Sequence, residues 1–388
     1  MMKIVADSKI PYLKGLLEPV AQEVLYVPGS EINKEVLRDA KVLLTRTRTH
    51  CDQSLLEGTA VEFIGTATIG TDHIDLDYCR QHGITVVNAP GCNAPAVAQW
   101  THASILQWLE AQRTPLGHPL TLGIVGVGHV GSIVARWAHQ LGYRVLLNDP
   151  PLAEELCNVD VHSSSPSKIE GVGGSMNDCA LCIMNSALKN SPLSTLHSKQ
   201  TLLENQAQPS LSSFLFPLPA LMSASDIITF HTPLTREGKY PTWHLCDEQF
   251  LNSLQRCKLI INAARGAVCD NEALLRWHGD VALDCWEGEP NINHELLDKA
   301  FIATPHIAGY SLQGKQRGTA MIIEALNRRY GWNIQPVQAS TPLKGAEYVT
   351  PQSILDSYNP LIDTVQLKST PSSFESLRNN YLLRDELP

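Results

Sequence analysis

Thr121-Leu122-Gly123-Ile124-Val125-Gly126-Val127-Gly128-His129-Val130-Gly131 decides the fold. Its first half is a short apolar run, the pattern of a strand buried on both faces. Its second half spaces three glycines as G-x-G-x-x-G, and helix-compatible sequence follows. Gly126 permits the tight turn out of the strand, Gly128 lets the backbone approach a pyrophosphate, and Gly131 lets helix and strand pack closely. The helix start then turns free N–H groups and a positive dipole end toward phosphates. His129 and Val130, between the glycines, belong to the same candidate contact. Asp149, eighteen residues after Gly131, closes the next strand-like run, 143–148. A carboxylate there accepts hydrogen bonds from the adenosine ribose and repels a 2′-phosphate, so NAD is expected over NADP.

Outward from this motif the chain alternates. Downstream runs at 227–231, 259–262, 281–284 and 302–304 predict strands, and 314–330 predicts one long helix. Upstream, runs at 3–6, 42–45, 63–66 and 85–88 predict a second set of strands, and 94–110 a helix with an apolar face carrying Trp100 and Trp108. Trp137 falls on another apolar helix face, and all three are expected in the core. The alternation predicts an α/β fold of two Rossmann-like parallel-sheet domains. One is a discontinuous substrate domain, 1–94 completed by 310–332. The other, 95–309, is an NAD-binding domain. Residues 333–388 form a short C-terminal segment, helix-like over 373–384.

Residues 156–213 break the rhythm. Twelve serines in 58 residues, with no sustained period, read as an insertion. Gly171-Val172-Gly173-Gly174 lacks a preceding strand and reads as loop. Cys179-Ala180-Leu181-Cys182 is one pair without a second, so ordinary thiols are expected and no metal.

The net charge of −9 gives no reason to expect nucleic acid or an anionic membrane as partner. No run of about 18 apolar residues suggests a membrane span. The amino terminus shows no signal-peptide core, so the ten scattered cysteines are expected to be mostly reduced thiols in a cytoplasmic protein.

Three residues carry candidate chemistry, each just after a predicted strand. They are Arg265 in Ile261-Asn262-Ala263-Ala264-Arg265-Gly266, Glu289 in Trp286-Glu287-Gly288-Glu289-Pro290, and His306 in Thr304-Pro305-His306-Ile307-Ala308-Gly309-Tyr310. Ligands of open α/β sheets bind beyond the carboxyl ends of the strands. Oxidising a secondary alcohol needs a base for the hydroxyl proton, and a histidine titrates near neutrality. A glutamate can orient the imidazole, and an arginine can grip a substrate carboxylate with two N–H bonds.

At these motifs the chain resembles the D-isomer-specific 2-hydroxyacid dehydrogenase family. The likeness also runs through Phe63-Ile64-Gly65-Thr66-Ala67-Thr68-Ile69-Gly70-Thr71-Asp72-His73, Ala89-Pro90-Gly91-Cys92-Asn93-Ala94 and Thr229-Phe230-His231-Thr232-Pro233-Leu234. It reaches the tail at Phe374-Glu375-Ser376-Leu377-Arg378-Asn379-Asn380-Tyr381. The resemblance implies a catalytic set of Arg265, Glu289 and His306, with His306 accepting the proton. It implies NAD contacts at Asp149, Thr232, Ala263, Ala264, Arg265, Asp284 and Gly309. It implies substrate contacts at Thr47, Thr68 and Tyr310, and a tail that pairs two copies into a homodimer. The implied substrate is 4-phospho-D-erythronate, oxidised to 2-oxo-3-hydroxy-4-phosphobutanoate on the route to vitamin B6. Its phosphate needs cations, and Arg46, Arg48, Lys315 and Arg317 are the candidates. A different 2-hydroxy acid, such as 3-phosphoglycerate, and a non-catalytic NAD-binding regulatory module are the alternatives. Against the family's pattern the connection 275–282 is short, which leaves open a displacement of Glu289.

Overall fold

A computed structural model describes residues 2–114, 120–155, 215–340 and 349–387. The insertion 156–213, with its glycine cluster and cysteine pair, lies outside the described residues. The chain divides into two compact units. One comprises 1–94, 310–344 and 383–386, the other 95–309, 345–382 and 387–388. The tail is therefore shared between the units and does not form one of its own.

The first unit is a five-stranded parallel sheet, β2-β1-β3-β4-β5. The strands are β1 Lys3–Asp7, β2 Glu23–Val27, β3 Val42–Thr45, β4 Phe63–Thr66 and β5 Thr85–Val87. β1, β3 and β4 are apolar runs because both faces are covered. Ile4, Leu44 and Phe63 pack with Ile322, Ile323 and Leu326 of the helix Leu312–Tyr330. Val5, Leu43 and Ile64 pack with Leu37, Leu56 and Cys79 on the other face. Sequence reading misses β2. It is a half-buried edge strand, so its identity comes from pairing Lys3 with Glu23 through Asp7 with Val27 rather than from its own pattern.

Ser311 caps the helix Leu312–Tyr330, its Oγ accepting from Gly314 N at 3.0 Å and donating to Glu386 at 2.6 Å. That ties the last residues of the chain to this unit. Arg317 completes the tie. It is buried, pairs with Glu386 at 2.5 Å and donates to Cys92 O at 2.8 Å. Ser311→Ala removes a cap and leaves a buried carboxylate one donor short. It should cost about 1–2 kcal/mol, read from the midpoint of denaturant unfolding.

The second unit is a six-stranded parallel sheet, β11-β10-β9-β8-β6-β7. Its strands are β6 Thr121–Val125, β7 Arg144–Asn148, β8 Ile227–Phe230, β9 Leu259–Asn262, β10 Asp280–Leu283 and β11 Ile302–Ala303. β6 stops two residues earlier than its apolar run suggests. Gly126 takes φ +90°, and Val127 N leaves the ladder to donate to Asp149 Oδ2 at 2.8 Å. The helix His129–Gln140 starts at once and buries Ile133, Val134 and Trp137. Trp100 and Trp108 are buried as expected.

The tail adds helices Pro351–Ser357, Pro360–Ser369 and Phe374–Asn379. The first two fall where sequence reading expects none, each opened by a proline behind a side-chain cap. The helix Pro360–Ser369 covers the sheet edge. Its Thr364 Oγ1 accepts from Ala303 N at 3.0 Å, and Leu367 and Phe374 enter the core of this unit. No described helix is long and apolar enough to cross a membrane.

Candidate active site

The sheet order places β6 between β7 and β8. The chain crosses from one side of β6 to the other here, which opens a crevice at the carboxyl ends of these strands. The glycine turn occupies it. A Cβ on Gly131 would lie 2.0 Å from Gly126 O, so only glycine brings the helix this close. A Cβ on Gly126 would strike the His231 carbonyl at 2.8 Å. His231 and Thr232 thus pass directly against the turn.

Asp149 Oδ1 accepts from Leu152 N at 3.0 Å while Oδ2 holds Val127 N. Beside Asp149 lies a cavity of about 620 Å³, lined among others by Pro150, Glu154, Phe216 and Tyr240. The Tyr240 hydroxyl donates to Glu154 at 2.5 Å, and Lys239 pairs with the same carboxylate.

The crevice fits a dinucleotide. Thr232 Oγ1 is buried and has no hydrogen-bond partner, a state a bound group relieves. Gly128 faces open space, since a Cβ there would meet nothing within 4 Å. His102 is buried and His231 half-buried in this unit. Burial pushes their pKa down, to about 4 and about 3, so both are neutral.

β9 ends in Asn262, which is buried and whose importance the sequence pattern does not reveal. Its Oδ1 accepts from Ala264 N at 3.0 Å, and its Nδ2 donates to Arg265 O at 2.9 Å. The amide shapes the turn that presents Arg265, whose Nη1 donates to Ala264 O at 2.8 Å.

Asp284, fully buried, directly follows β10. Its Oδ1 accepts from Thr304 Oγ1 at 2.6 Å and Ile307 N at 2.7 Å, and its Oδ2 from Ala308 N at 3.0 Å. In this arrangement Asp284 braces the turn that carries His306 and leads to Gly309. His306 itself has φ +57°, a left-handed conformation rare outside glycine, and the braced turn holds it there.

Glu289 and His306 meet. His306 Nδ1 lies 2.8 Å from Glu289 Oε2, and Glu289 Oε1 accepts from Trp286 N at 2.7 Å. The short connection before β10 has not displaced Glu289. Burial opposes charge on His306, yet the Cys285 sulfur and the Glu289 carboxylate outweigh it and hold the imidazolium pKa well above its ordinary value. Burial works to raise the Glu289 carboxyl, but His306, the Trp286 amide and Arg378 outweigh it, so Glu289 stays below its ordinary range. Cys285, Glu289 and His306 bring one donor atom each within 4.8 Å of one another. Glu289 and His306 already bond each other, and Cys285 donates to Ala264 O at 3.4 Å, so the cluster works as a hydrogen-bonded dyad beside a thiol.

In the first unit, Thr68 Oγ1 lies 2.7 Å from Thr66 Oγ1 and donates to Gly70 O at 3.1 Å. Thr47 is exposed just beyond β3. Tyr310 is half-buried, with Lys315 Nζ 4.0 Å over its ring. Of the four cations considered for a phosphate, Arg317 is corrected. Its guanidinium is buried and committed to Glu386, so it is structural. Arg46 pairs with the buried Asp7 at 3.0 Å. Burial raises the Cys92 thiol to about 11, which leaves it an inert core residue.

Residues 3–330 match the family model of the D-isomer specific 2-hydroxyacid dehydrogenase catalytic domain. The chain belongs to that family of dehydrogenases, whose hydride carrier is NAD. It is 41% identical to the erythronate-4-phosphate dehydrogenase of Bacteroides thetaiotaomicron, over 99% of this chain and 97% of that one. It is 37% identical to the enzyme of the same name from Shigella flexneri, over 99% and 92%. Among solved structures it resembles an NAD-bound 3-phosphoglycerate dehydrogenase from Entamoeba histolytica. The TM-score is 0.59 at 22% identity, over 85% of this chain and 96% of that one. An Aquifex aeolicus D-lactate dehydrogenase complexed with NAD and lactic acid aligns with TM-score 0.58 at 22% identity, over 84% and 96%. At that identity the two structures speak for the fold alone.

Proposed function

We propose that this protein oxidises 4-phospho-D-erythronate to 2-oxo-3-hydroxy-4-phosphobutanoate with NAD. The observation that carries the reading is the 2.8 Å contact between His306 and Glu289, in a unit that also holds a dinucleotide crevice. The alignment with the erythronate-4-phosphate dehydrogenases over nearly the whole chain supports the choice of substrate.

NAD, when bound, accepts the hydride from the carbinol carbon. Gly126, Gly128, His129, Val130 and Gly131 receive its pyrophosphate, Asp149 its ribose, and Thr232, Ala263 to Arg265, Asp284 and Gly309 line the rest. Glu289 takes the Nδ1 proton side of His306, so Nε2 is left to accept the hydroxyl proton. The anionic carboxylate favours the imidazolium that results. Arg265 grips the substrate carboxylate, and Thr47, Thr68 and Tyr310 contact the substrate. Arg46, Arg48 and Lys315 are the cations from which its phosphate is bound.

A second copy of the chain is the expected partner. Ile362 and Val365, one turn apart on the tail helix, are 67% and 68% exposed, and Leu382 is 87% exposed. Such a face supports pairing of two tails. Nucleic acid and membrane are not expected as partners, and a cytoplasmic location is.

An NADH-coupled assay on 2-hydroxy acids with and without a 4-phosphate tests the reading. 4-Phospho-D-erythronate should give the highest kcat/KM. Turnover of 3-phosphoglycerate alone would replace the substrate, and no turnover of any 2-hydroxy acid would end the enzymatic reading. Asp149→Ala should raise the ratio of NADP to NAD turnover by about 10-fold or more, because the repulsion of a 2′-phosphate is gone. An unchanged ratio would take Asp149 out of cofactor selection.

A further inference from the structure

We propose that Arg378, on the tail helix Phe374–Asn379, is a positioning residue of the catalytic dyad that sets the pH range of turnover by placing a fixed positive charge against Glu289. The proposal rests on the assignment of His306 as base and Glu289 as its orienting partner.

Arg378 Nη1 stands 3.8 Å from Glu289 Oε2, the same oxygen that meets His306 Nδ1 at 2.8 Å. The arginine and glutamate side chains are only 15% and 17% exposed, so water screens the pair far less than it does a surface ion pair. The tail brings the guanidinium there by packing. Phe374, one turn earlier on the same helix, is buried in the core of this unit, and Leu377 packs against that core from the adjacent position. The helix Pro360–Ser369 anchors the segment from the other side through Thr364 and Leu367. A stretch of chain far from the dinucleotide motif thereby supplies a charge to the dyad.

The consequence follows from counting charges. With His306 neutral, Glu289 and Arg378 cancel. When His306 takes a proton, the trio becomes positive. Without Arg378 the same proton would land on a dyad that starts negative and ends neutral. Arg378 therefore limits the proton affinity that Glu289 confers on His306 and keeps Glu289 ionised. The other groups around the dyad are Cys285 and Asp284, just after β10, which bear on His306. Cys285 Sγ also lies within 4.8 Å of a Glu289 oxygen, but as a thiol hydrogen-bonded to Ala264 O it brings no positive charge. The two titrations are coupled, but the direction does not depend on which group an acid limb reports. Loss of a positive charge raises both.

The test is the pH profile of kcat/KM for oxidation in the full-length protein. Arg378→Gln should move the acid limb up by roughly one pH unit. At a pH on the old limb, turnover then falls up to about tenfold while the plateau at higher pH is largely kept. Arg378→Lys retains the charge and should leave the limb near its original place. If the Gln variant fails to fold, Arg378→Met keeps most of the apolar stem and takes its place. A role confined to holding the tail would lower the melting temperature or the plateau without moving the limb, and that result would overturn the proposal. An unmoved limb in both neutral variants would do the same. Failure of the catalytic assignment itself shows differently, as near-normal turnover in His306→Ala.

Discussion

Replacing His306 by alanine should lower kcat by at least about 100-fold while NADH binding is largely kept. The expectation rests on the separation of roles within one unit. In the proposed function the dinucleotide is received by the turn after β6 and by the ends of β7 and β8, whereas His306 lies after β11 on a turn braced by Asp284. Removing the imidazole takes away the proposed acceptor for the hydroxyl proton and leaves Glu289 with the Trp286 amide and Arg378 as partners. The phosphate-facing backbone is untouched. Turnover in the coupled assay and NADH affinity by fluorescence titration measure the two halves. Near-normal kcat would remove His306 from the mechanism. A parallel loss of NADH affinity would mean that the turn had collapsed.

Gly131→Ala should act in the opposite sense and reduce NADH affinity by about 100-fold. The added methyl would sit 2.0 Å from Gly126 O, a backbone atom that cannot rotate out of the way. Relief requires the helix His129–Gln140 to move away from β6 by more than about 1 Å, and a displacement of that size at a binding element is worth about two orders of magnitude. It also disturbs the packing of Ile133, Val134 and Trp137, at a further cost of roughly 1–3 kcal/mol. Titration with NADH and thermal unfolding read the two effects. Wild-type affinity in a folded Gly131→Ala protein would show that the close approach is not what forms the phosphate site.

The strands that sequence reading finds most readily are the central ones. β3, β4 and β9 have the expected bounds because a strand buried on both faces needs apolar residues throughout, and such a run has little else to become. β2 and the first two tail helices escape notice for the converse reason. β2 pairs on one side only and is half-exposed. The tail helices are short, and Pro360–Ser369 turns Ile362 and Val365 outward while burying Thr364 and Leu367, so neither periodicity nor polarity marks its inner face. Helices that short draw their stability from what they pack against.

The site divides in a similar way. Backbone geometry at the glycine turn follows from residue type, since only glycine tolerates both φ +90° at Gly126 and the contact at Gly131. His306 and Glu289 are recognisable as acid–base candidates from their chemistry and their places after strands. Their meeting is another matter. It requires β10 and β11 to be neighbours in one sheet and Asp284 to reach the amides of Ile307 and Ala308.

The local sequence therefore determined which residues are equipped to turn at a phosphate, carry a proton or grip a carboxylate, because those capacities belong to single side chains and to φ angles. Tertiary structure alone decided which charges lie within a few ångströms of each other. It withdrew Arg317 from the phosphate candidates by burying it against Glu386, and it brought Arg378 to Glu289 across nearly ninety residues of chain. Electrostatic interaction depends on distance in space and on burial, and neither is encoded in the spacing of residues along the chain.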